Sequence, residues 1–414
     1  MIDCAELIGR VPDKSSEARH PVAGLAAIRE KVGTGDLSCL FLINGLGMGN
    51  STRCYAVVQQ LAAAGVKIHV LTSGNGLRFF EGKPEITSLR PVESFFYAVQ
   101  DNQLSAWRTV LSLGAQGRRA IQKRTQVEAA VKDIRPDFCV TDSEYTLGPM
   151  RKRRIPVIAL NNSDVVVHEY LRMRNKPREL RGQFWAIEYI DYLFHRRFAD
   201  LVISPAAKAV PAAHSKIRRV GLIVRREIQE LAAGTGKAPQ KPAREFRNLT
   251  FMLSGSVLGR SGNICANDLP YHIAIVGIDG PSNSQVTFHG KILNNISLLA
   301  QADMLLVNGG FSAMSEALAL RKPTLVIPVP RHAEQYVNAC QVVELGFGAM
   351  VGEQEVGPYL RRAYQTNAFV GRAKSQQPVD ISGATQAVDI IFRFLRSRGT
   401  LAAVPADSPA GNGS

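Results

Sequence analysis

Two α/β domains, each a parallel sheet with helices on both faces, are predicted by three features of this sequence. Its 414 residues exceed what one hydrophobic core usually organises. Short apolar, β-branched runs alternate with helical stretches, the pattern of strands covered on both sides. That alternation breaks at residues 227–247, rich in Ala, Gly, Lys and Pro, and then begins again.

The elements follow in order. Residues 1–35 mix charge, Pro and Gly without an apolar centre and read as an extension, not a secretion signal. The first domain is expected over 36–226, with a strand at 38–44, a glycine-rich turn and a helix at 52–64 that Gly65 stops. Further strands are expected at 67–72, 137–141 and 156–160. After the 227–247 linker, the second domain is expected over 248–397. Its strands are placed at 249–253, 271–276, 286–288, 304–307 and 324–327, and its helices at 312–320, 334–345 and 385–396. Residues 398–414, rich in Ala, Pro, Gly and Ser, read as a disordered tail.

Composition narrows the class. With 45% hydrophobic and 21% charged residues, and no apolar run near the roughly 20 residues of a spanning helix, a cytoplasmic globular enzyme is expected. Six cysteines (Cys4, Cys39, Cys54, Cys139, Cys265 and Cys340) show no CxxC pair or zinc-type spacing, so no metal is expected. Of the formal charge of +15, residues 151–226 carry +11, beginning with Arg151, Lys152, Arg153 and Arg154. Such a basic surface suggests an anionic partner. Within it, the run 183–198 (QFWAIEYIDYLFHRRF) sets aromatic residues beside Arg196 and Arg197, a mixture suited to the anionic inner face of a membrane. A buried interdomain helix with solvated arginines would have the same composition. Nucleic acid is not the expected partner, because aromatic-interleaved RNA-binding modules are absent.

Chemistry concentrates in the second half. The stretch from Ala302 reads ADMLLVNGGFSAMSEALALRKPTLVIP: strand, Gly309-Gly310 turn, helix, strand. Glycines let a phosphate approach the backbone, and the amides opening the helix, Ser312 among them, lie at its positive dipole end. Glu316 stands one turn further, where a carboxylate can accept two ribose hydroxyls. The next strand leads into IPVPRHAEQYVNA. Glu334 and Gln335 open a helix there and can hold sugar hydroxyls, with His332 close enough to contact phosphate or sugar oxygens.

This combination resembles the donor signature of GT-B glycosyltransferases, especially the UDP-glycosyltransferases and the bacterial peptidoglycan N-acetylglucosaminyltransferase group. The resemblance implies two Rossmann-like domains facing each other across a cleft, with a UDP-sugar as co-substrate and no other cofactor. It assigns diphosphate to Gly309 and Gly310, ribose to Glu316, and the sugar to Glu334 and Gln335. Ser254-Gly255-Ser256 matches the family's glycine-serine loop as a further phosphate contact. Position alone brings Phe288, His289 and Gly290 to the base. The implied reaction is transfer of a hexose or N-acetylhexosamine, by inverting displacement, to an unidentified acceptor, lipid-linked or small. A nonhydrolysing UDP-sugar epimerase shares the fold, and a noncatalytic nucleotide-sugar binder is the other alternative.

In the first half, Gly45, Gly47 and Gly49 form GLGMGNSTR, similar to the family's GxGH loop, and their backbone could bind diphosphate across the cleft. Asn50 replaces the histidine that serves many relatives as base. An amide cannot remove a proton near neutral pH, though it can orient a hydroxyl. The base is therefore sought in Asp142 or Glu144, at the carboxyl end of a strand where parallel sheets meet ligands. Asp142 could equally cap the next helix. Asn161, Asn162 and His168 follow the next strand on the acceptor side.

Overall fold

The computed structural model describes residues 37–94, 99–100, 103–104, 113–235, 242–253, 269–369 and 376–398. Its first sheet has seven strands: β1 (Ser38–Ile43), β2 (Lys67–Thr72), β3 (Ser88–Pro91), β4 (Phe138–Asp142), β5 (Val157–Leu160), β6 (Leu201–Pro205) and β7 (Ile217–Val220). They lie in the order β3-β2-β1-β4-β5-β6-β7, all parallel. From Cys39 to Ile43 every residue of β1 is buried, which is why that strand reads as an unbroken apolar run. The helices are α1 (Met48–Ala63), α2 (Gly74–Phe80), α3 (Leu113–Ile134), α4 (Gly148–Lys152), α5 (Ser163–Arg172), α6 (Tyr189–Phe198) and α7 (Arg226–Thr235).

The second sheet has six parallel strands: β8 (Asn248–Met252), β9 (His272–Val276), β10 (Val286–Phe288), β11 (Met304–Val307), β12 (Thr324–Val326) and β13 (Gly348–Met350). Their order is β10-β9-β8-β11-β12-β13. Helices α8 (Ile296–Gln301), α9 (Phe311–Ala319), α10 (Ala333–Glu344) and α11 (Val356–Thr366) accompany it. In both sheets the strand order reverses beside the first strand of the unit. Ligands of open α/β sheets bind at such points, beyond the carboxyl ends of the strands.

The expected parallel two-domain α/β architecture is therefore the observed one. Strands β3, β6, β7 and β13 had no reading in the sequence, being only three to five residues long. Helix α1 begins at Met48, inside the glycine loop, with Gly47 extended at its start.

The last helix, α12 (Gly383–Ser397), departs from the order in sequence. Its apolar face (Ala384, Ala387, Val388, Ile391, Phe392 and Leu395) joins the core under β1 and α1 of the first domain. The chain thus crosses between domains twice, and the two crossings are stitched together. Leu222 N donates to the Asp380 carbonyl at 2.7 Å, and Gly221 N to Gln386 Oε1 at 2.7 Å. Glycine is required at 383, where a Cβ would lie 2.1 Å from the Gly221 carbonyl oxygen. Away from these crossings, one apolar core runs through the interface, bringing Val166, Val167 and Tyr170 of α5 together with Val337 and Cys340 of α10.

Candidate functional site

A cavity of 440 Å³ opens where the carboxyl ends of β1 and β8 face each other. The first domain contributes residues 46–50 and Arg53, with Asn75 and Phe79 from α2. The second contributes the ends of β8 and β9, residues 291–293, and the start of α9.

Gly309 is the residue that the turn before α9 requires. Its φ is +85°, and a Cβ would stand 2.7 Å from the Gln335 carbonyl oxygen. Asn338 Nδ2 holds the Gly309 carbonyl at 2.9 Å. Gly310 then begins α9 with no side-chain cap, so the first amides of the helix have no side-chain acceptor. The two glycine turns meet across the cleft: Ser312 Oγ donates to the Gly49 carbonyl at 2.7 Å.

Arg53 organises the opposite wall. Its Nε and Nη2 donate to Asp142 Oδ2 and Oδ1 at 2.9 and 2.7 Å, a bidentate pair with Asp142 fully buried. The same guanidinium reaches Asn162 Oδ1 at 3.1 Å and Asn50 Oδ1 at 3.3 Å. Asn162 Nδ2 in turn donates to Glu334 Oε1 at 3.3 Å, linking the pair to the second domain. Burial opposes the charge on Arg53 and Asp142 outweighs it, so the group stays cationic.

Of the residues expected from the sequence, Gly47, Gly49, Asn50, Gly310, Ser312, Glu316 and Glu334 line the cavity. Others do not. Asp142 lies behind Arg53. Glu144 is buried against Lys123 at 2.5 Å; burial raises its carboxyl, and Lys123 opposes the shift. Neither carboxylate is part of the cavity wall. Gln335 accepts from Val329 N at 2.9 Å and braces the preceding loop. His332 is set back from the wall, its imidazole pushed down by burial. His289 is exposed beside β10, Phe288 is half-buried, and Gly290, at φ +60°, turns the chain into 291–293. His168 Nδ1 rests 3.2 Å from Glu169 on α5. Ser254, Gly255 and Ser256 lie outside the described residues.

Among the polar wall residues, Lys291 and Asn295 had no signal in the sequence, and Arg225 was legible only as part of the basic run 151–226. Arg225 Nε donates to Glu316 Oε1 at 2.8 Å and its Nη2 to Asn295 Oδ1 at 2.9 Å. Glu316 thus meets a cation from the interdomain crossing, and the wall holds Arg53, Arg225 and Lys291 near uncapped helix amides. Such a surface suits a polyanion.

A second buried pair supports this wall from behind. Asp191 accepts from Tyr145 Oη at 2.7 Å and Asn161 Nδ2 at 2.6 Å, and lies 3.2 Å from His195 Nδ1. Burial pushes the Asp191 carboxyl up, but His195 and the two donors bring it down to about 2. Burial lowers His195 and Asp191 more than reverses the shift. A raised folded-state histidine stabilises fully below its unfolded value of about 6.5, and this contribution is lost as pH rises through the folded value. Urea denaturation of the wild type should show that loss, and His195→Gln should reduce the slope, leaving the part that the raised Glu188 carboxyl contributes.

The sequence matches the profile of Glycosyl transferase family 1 over residues 37–237 and 286–364. A relative from Methanosarcina mazei, described as an uncharacterised glycosyltransferase, is 25% identical over 352 residues, covering 76% of this chain and 86% of the relative. A 100-residue stretch is 31% identical to the UDP-N-acetylglucosamine–N-acetylmuramyl-(pentapeptide) pyrophosphoryl-undecaprenol N-acetylglucosamine transferase of Shouchella clausii, covering 23% of this chain and 28% of that protein. Among solved structures, MurG of Acinetobacter baumannii aligns with a TM-score of 0.52 at 15% identity, covering 86% of this chain and 99% of that one. A Streptomyces glycosyltransferase solved with thymidine diphosphate aligns at 0.51, also at 15% identity and with the same coverage. At such identities the structural likeness is one of fold: two parallel-sheet domains across a cleft.

Proposed function

The chain belongs to Glycosyl transferase family 1 and has the GT-B fold, and from that premise we propose that it transfers a hexose or N-acetylhexosamine from a UDP-sugar to a hydroxyl acceptor. The observation that carries this is the cavity wall on which Arg53, Arg225 and Lys291 face the start of α9. Diphosphate lies against those amides, ribose against Glu316 and the sugar against Glu334. The acceptor hydroxyl oxygen attacks the anomeric carbon from the far side, the bond from that carbon to the β-phosphate oxygen breaks, configuration inverts, UDP leaves, and the hydroxyl proton passes to solvent. Stabilising the departing diphosphate is the main electrostatic task, and preorganised cations and amides perform it. Asp142, committed to Arg53, acts as a positioning residue. UDP rather than another nucleotide is favoured by the name of the Shouchella clausii relative.

Thermal shift with a panel of UDP-sugars, UDP and thymidine diphosphate tests the donor. The UDP compounds should raise Tm most, and Arg225→Ala should remove more than half of the rise, measured from the variant's own ligand-free Tm. No shift with any nucleotide sugar would overturn the proposal. Epimerisation of a UDP-sugar without acceptor would reassign the reaction.

We further propose that the acceptor reaches the site from an anionic membrane surface. Trp185, Ile190 and Phe198 are 50%, 55% and 39% exposed. Arg151 and Arg197 stand 5.3 and 5.5 Å from the Phe198 ring. Apolar side chains ringed by arginine suit an interface. No helix among the described residues is long and apolar enough to cross a membrane. Co-sedimentation with phosphatidylglycerol vesicles is expected, and Trp185→Ala should weaken it several-fold. Equal binding to neutral vesicles would sink the idea.

A further inference from the structure

Between α5 and α6 the chain makes a π-helical turn, Phe184–Glu188. The wider turn sets Gln183 and Glu188, five residues apart, on one side, as π-turns at functional sites do. Gln183 Nε2 donates to Glu188 Oε1 at 2.6 Å, while its Oε1 accepts from Ala333 N at 2.9 Å. The turn is thereby docked on the start of α10, in the other domain.

Docking brings Glu188 against His332 and Glu334. One side-chain ligand atom from each lies within 4.8 Å of the other two. Glu188 is buried, and neither it nor Glu334 has an ion-pair partner among the described residues. His332 Nδ1 is buried without a hydrogen-bond partner. Burial, and then the facing carboxylate of Glu334, push the Glu188 carboxyl well up. The cluster therefore has two converging carboxylates and an orphaned imidazole nitrogen, and the nearby cation, Arg53, reaches Glu334 only through Asn162.

We propose that Glu188, His332 and Glu334 bind a divalent first-row transition-metal ion that bridges the two domains. Charge fits once the ion displaces the proton that the raised Glu188 carboxyl holds, since two carboxylates and a neutral imidazole then carry −2. Chemistry fits as well: a mixed nitrogen and oxygen set suits Mn²⁺, Co²⁺ or Zn²⁺ better than Mg²⁺. Tetrahedral ligands bonded at about 2.1 Å to one ion stand about 3.4 Å apart, so a pair at the 4.8 Å limit has to draw in by a little over one ångström. Orienting partners are in place, with Gln183 on Glu188 and Asn162 on Glu334. The sequence expectation of no metal rested on short-range spacing, which cannot reveal ligands drawn from two domains. Because Glu334 also borders the donor cavity, the ion would sit at its edge and hold the cleft closed.

The test needs no donor or acceptor. Chelator-treated protein is titrated with Co²⁺, followed by calorimetry and visible absorption. One ion per chain is expected, with bands of a nitrogen and oxygen set. Glu188→Gln and His332→Ala should abolish binding, and Gln183→Ala should weaken it at least about tenfold. Circular dichroism checks that each variant is folded. Should one fail to fold, Mn²⁺ bound to the wild type should still show electron-spin-echo coupling to one imidazole nitrogen. Absence of stoichiometric binding, binding unchanged in folded variants, no imidazole coupling, or a thiolate-to-cobalt band would each overturn the site. UDP stabilisation is measured separately on the metal-free protein, so failure here is distinguishable from failure of the donor reading.

Discussion

Replacement of Arg53 by leucine is expected to lower the stability of the first domain by about 3–5 kcal/mol, the cost of leaving a buried carboxylate without its partner. Asp142 has no solvent exposure and receives two hydrogen bonds from this one guanidinium. The denaturant midpoint of the single variant measures the loss. A second measurement separates the unpaired charge from lost packing: Arg53→Leu combined with Asp142→Asn should recover at least half of it. A loss below about 1 kcal/mol in the single variant would mean that the pair is solvated. The same substitution takes a cation from the cavity wall, so UDP-induced stabilisation should fall in the double variant too, although its fold is restored.

The largest effect on donor binding is expected from Gly309→Val. A side chain at φ +85° costs about 1–3 kcal/mol, and its Cβ would press on the Gln335 carbonyl 2.7 Å away. Relief requires the start of α9 to move, taking its amides off the cavity wall. UDP at a hundredfold excess over its Kd, worth about 2.7 kcal/mol to the wild type, should then give almost no stabilisation. A glycine away from the cavity is the control. A Cβ on Gly148, which opens α4, meets nothing within 4 Å, so Gly148→Ala should fold and respond to UDP as the wild type does. Equal responses from the two variants would mean that backbone geometry at 309 is irrelevant to the site.

These two residues also show what was legible in the sequence. Gly309, Gly310 and Glu316 belong to one strand-turn-helix unit, so their relation is local and short-range periodicity reveals it. Glu334 follows at the next helix start, and the same reasoning brings it to the same edge. Asp142 was legible only as far as its backbone. The end of β4 does point toward the cleft, but whether its carboxylate faces a ligand or an arginine depends on Arg53, 89 residues earlier. Lys291 and Asn295 come from loops without periodicity and had no signal at all, while Arg225 was legible as a charge in the basic run but not as part of the cavity wall. The sheets were legible where a strand is an unbroken apolar run, as in β1. They were not at β13, where Gly348 lies so close to Thr324 that a Cβ would stand 1.6 Å from its carbonyl oxygen.

The stitched crossings have a consequence for how the molecule is made. During synthesis the first seven strands emerge early, but the surface under α1 and β7 that α12 covers stays open until residues 383–397 have left the ribosome. The amino-terminal domain is therefore the last to be completed. Expressed alone as residues 37–235, it should be insoluble or chaperone-bound, and a separate peptide spanning α12 should rescue it.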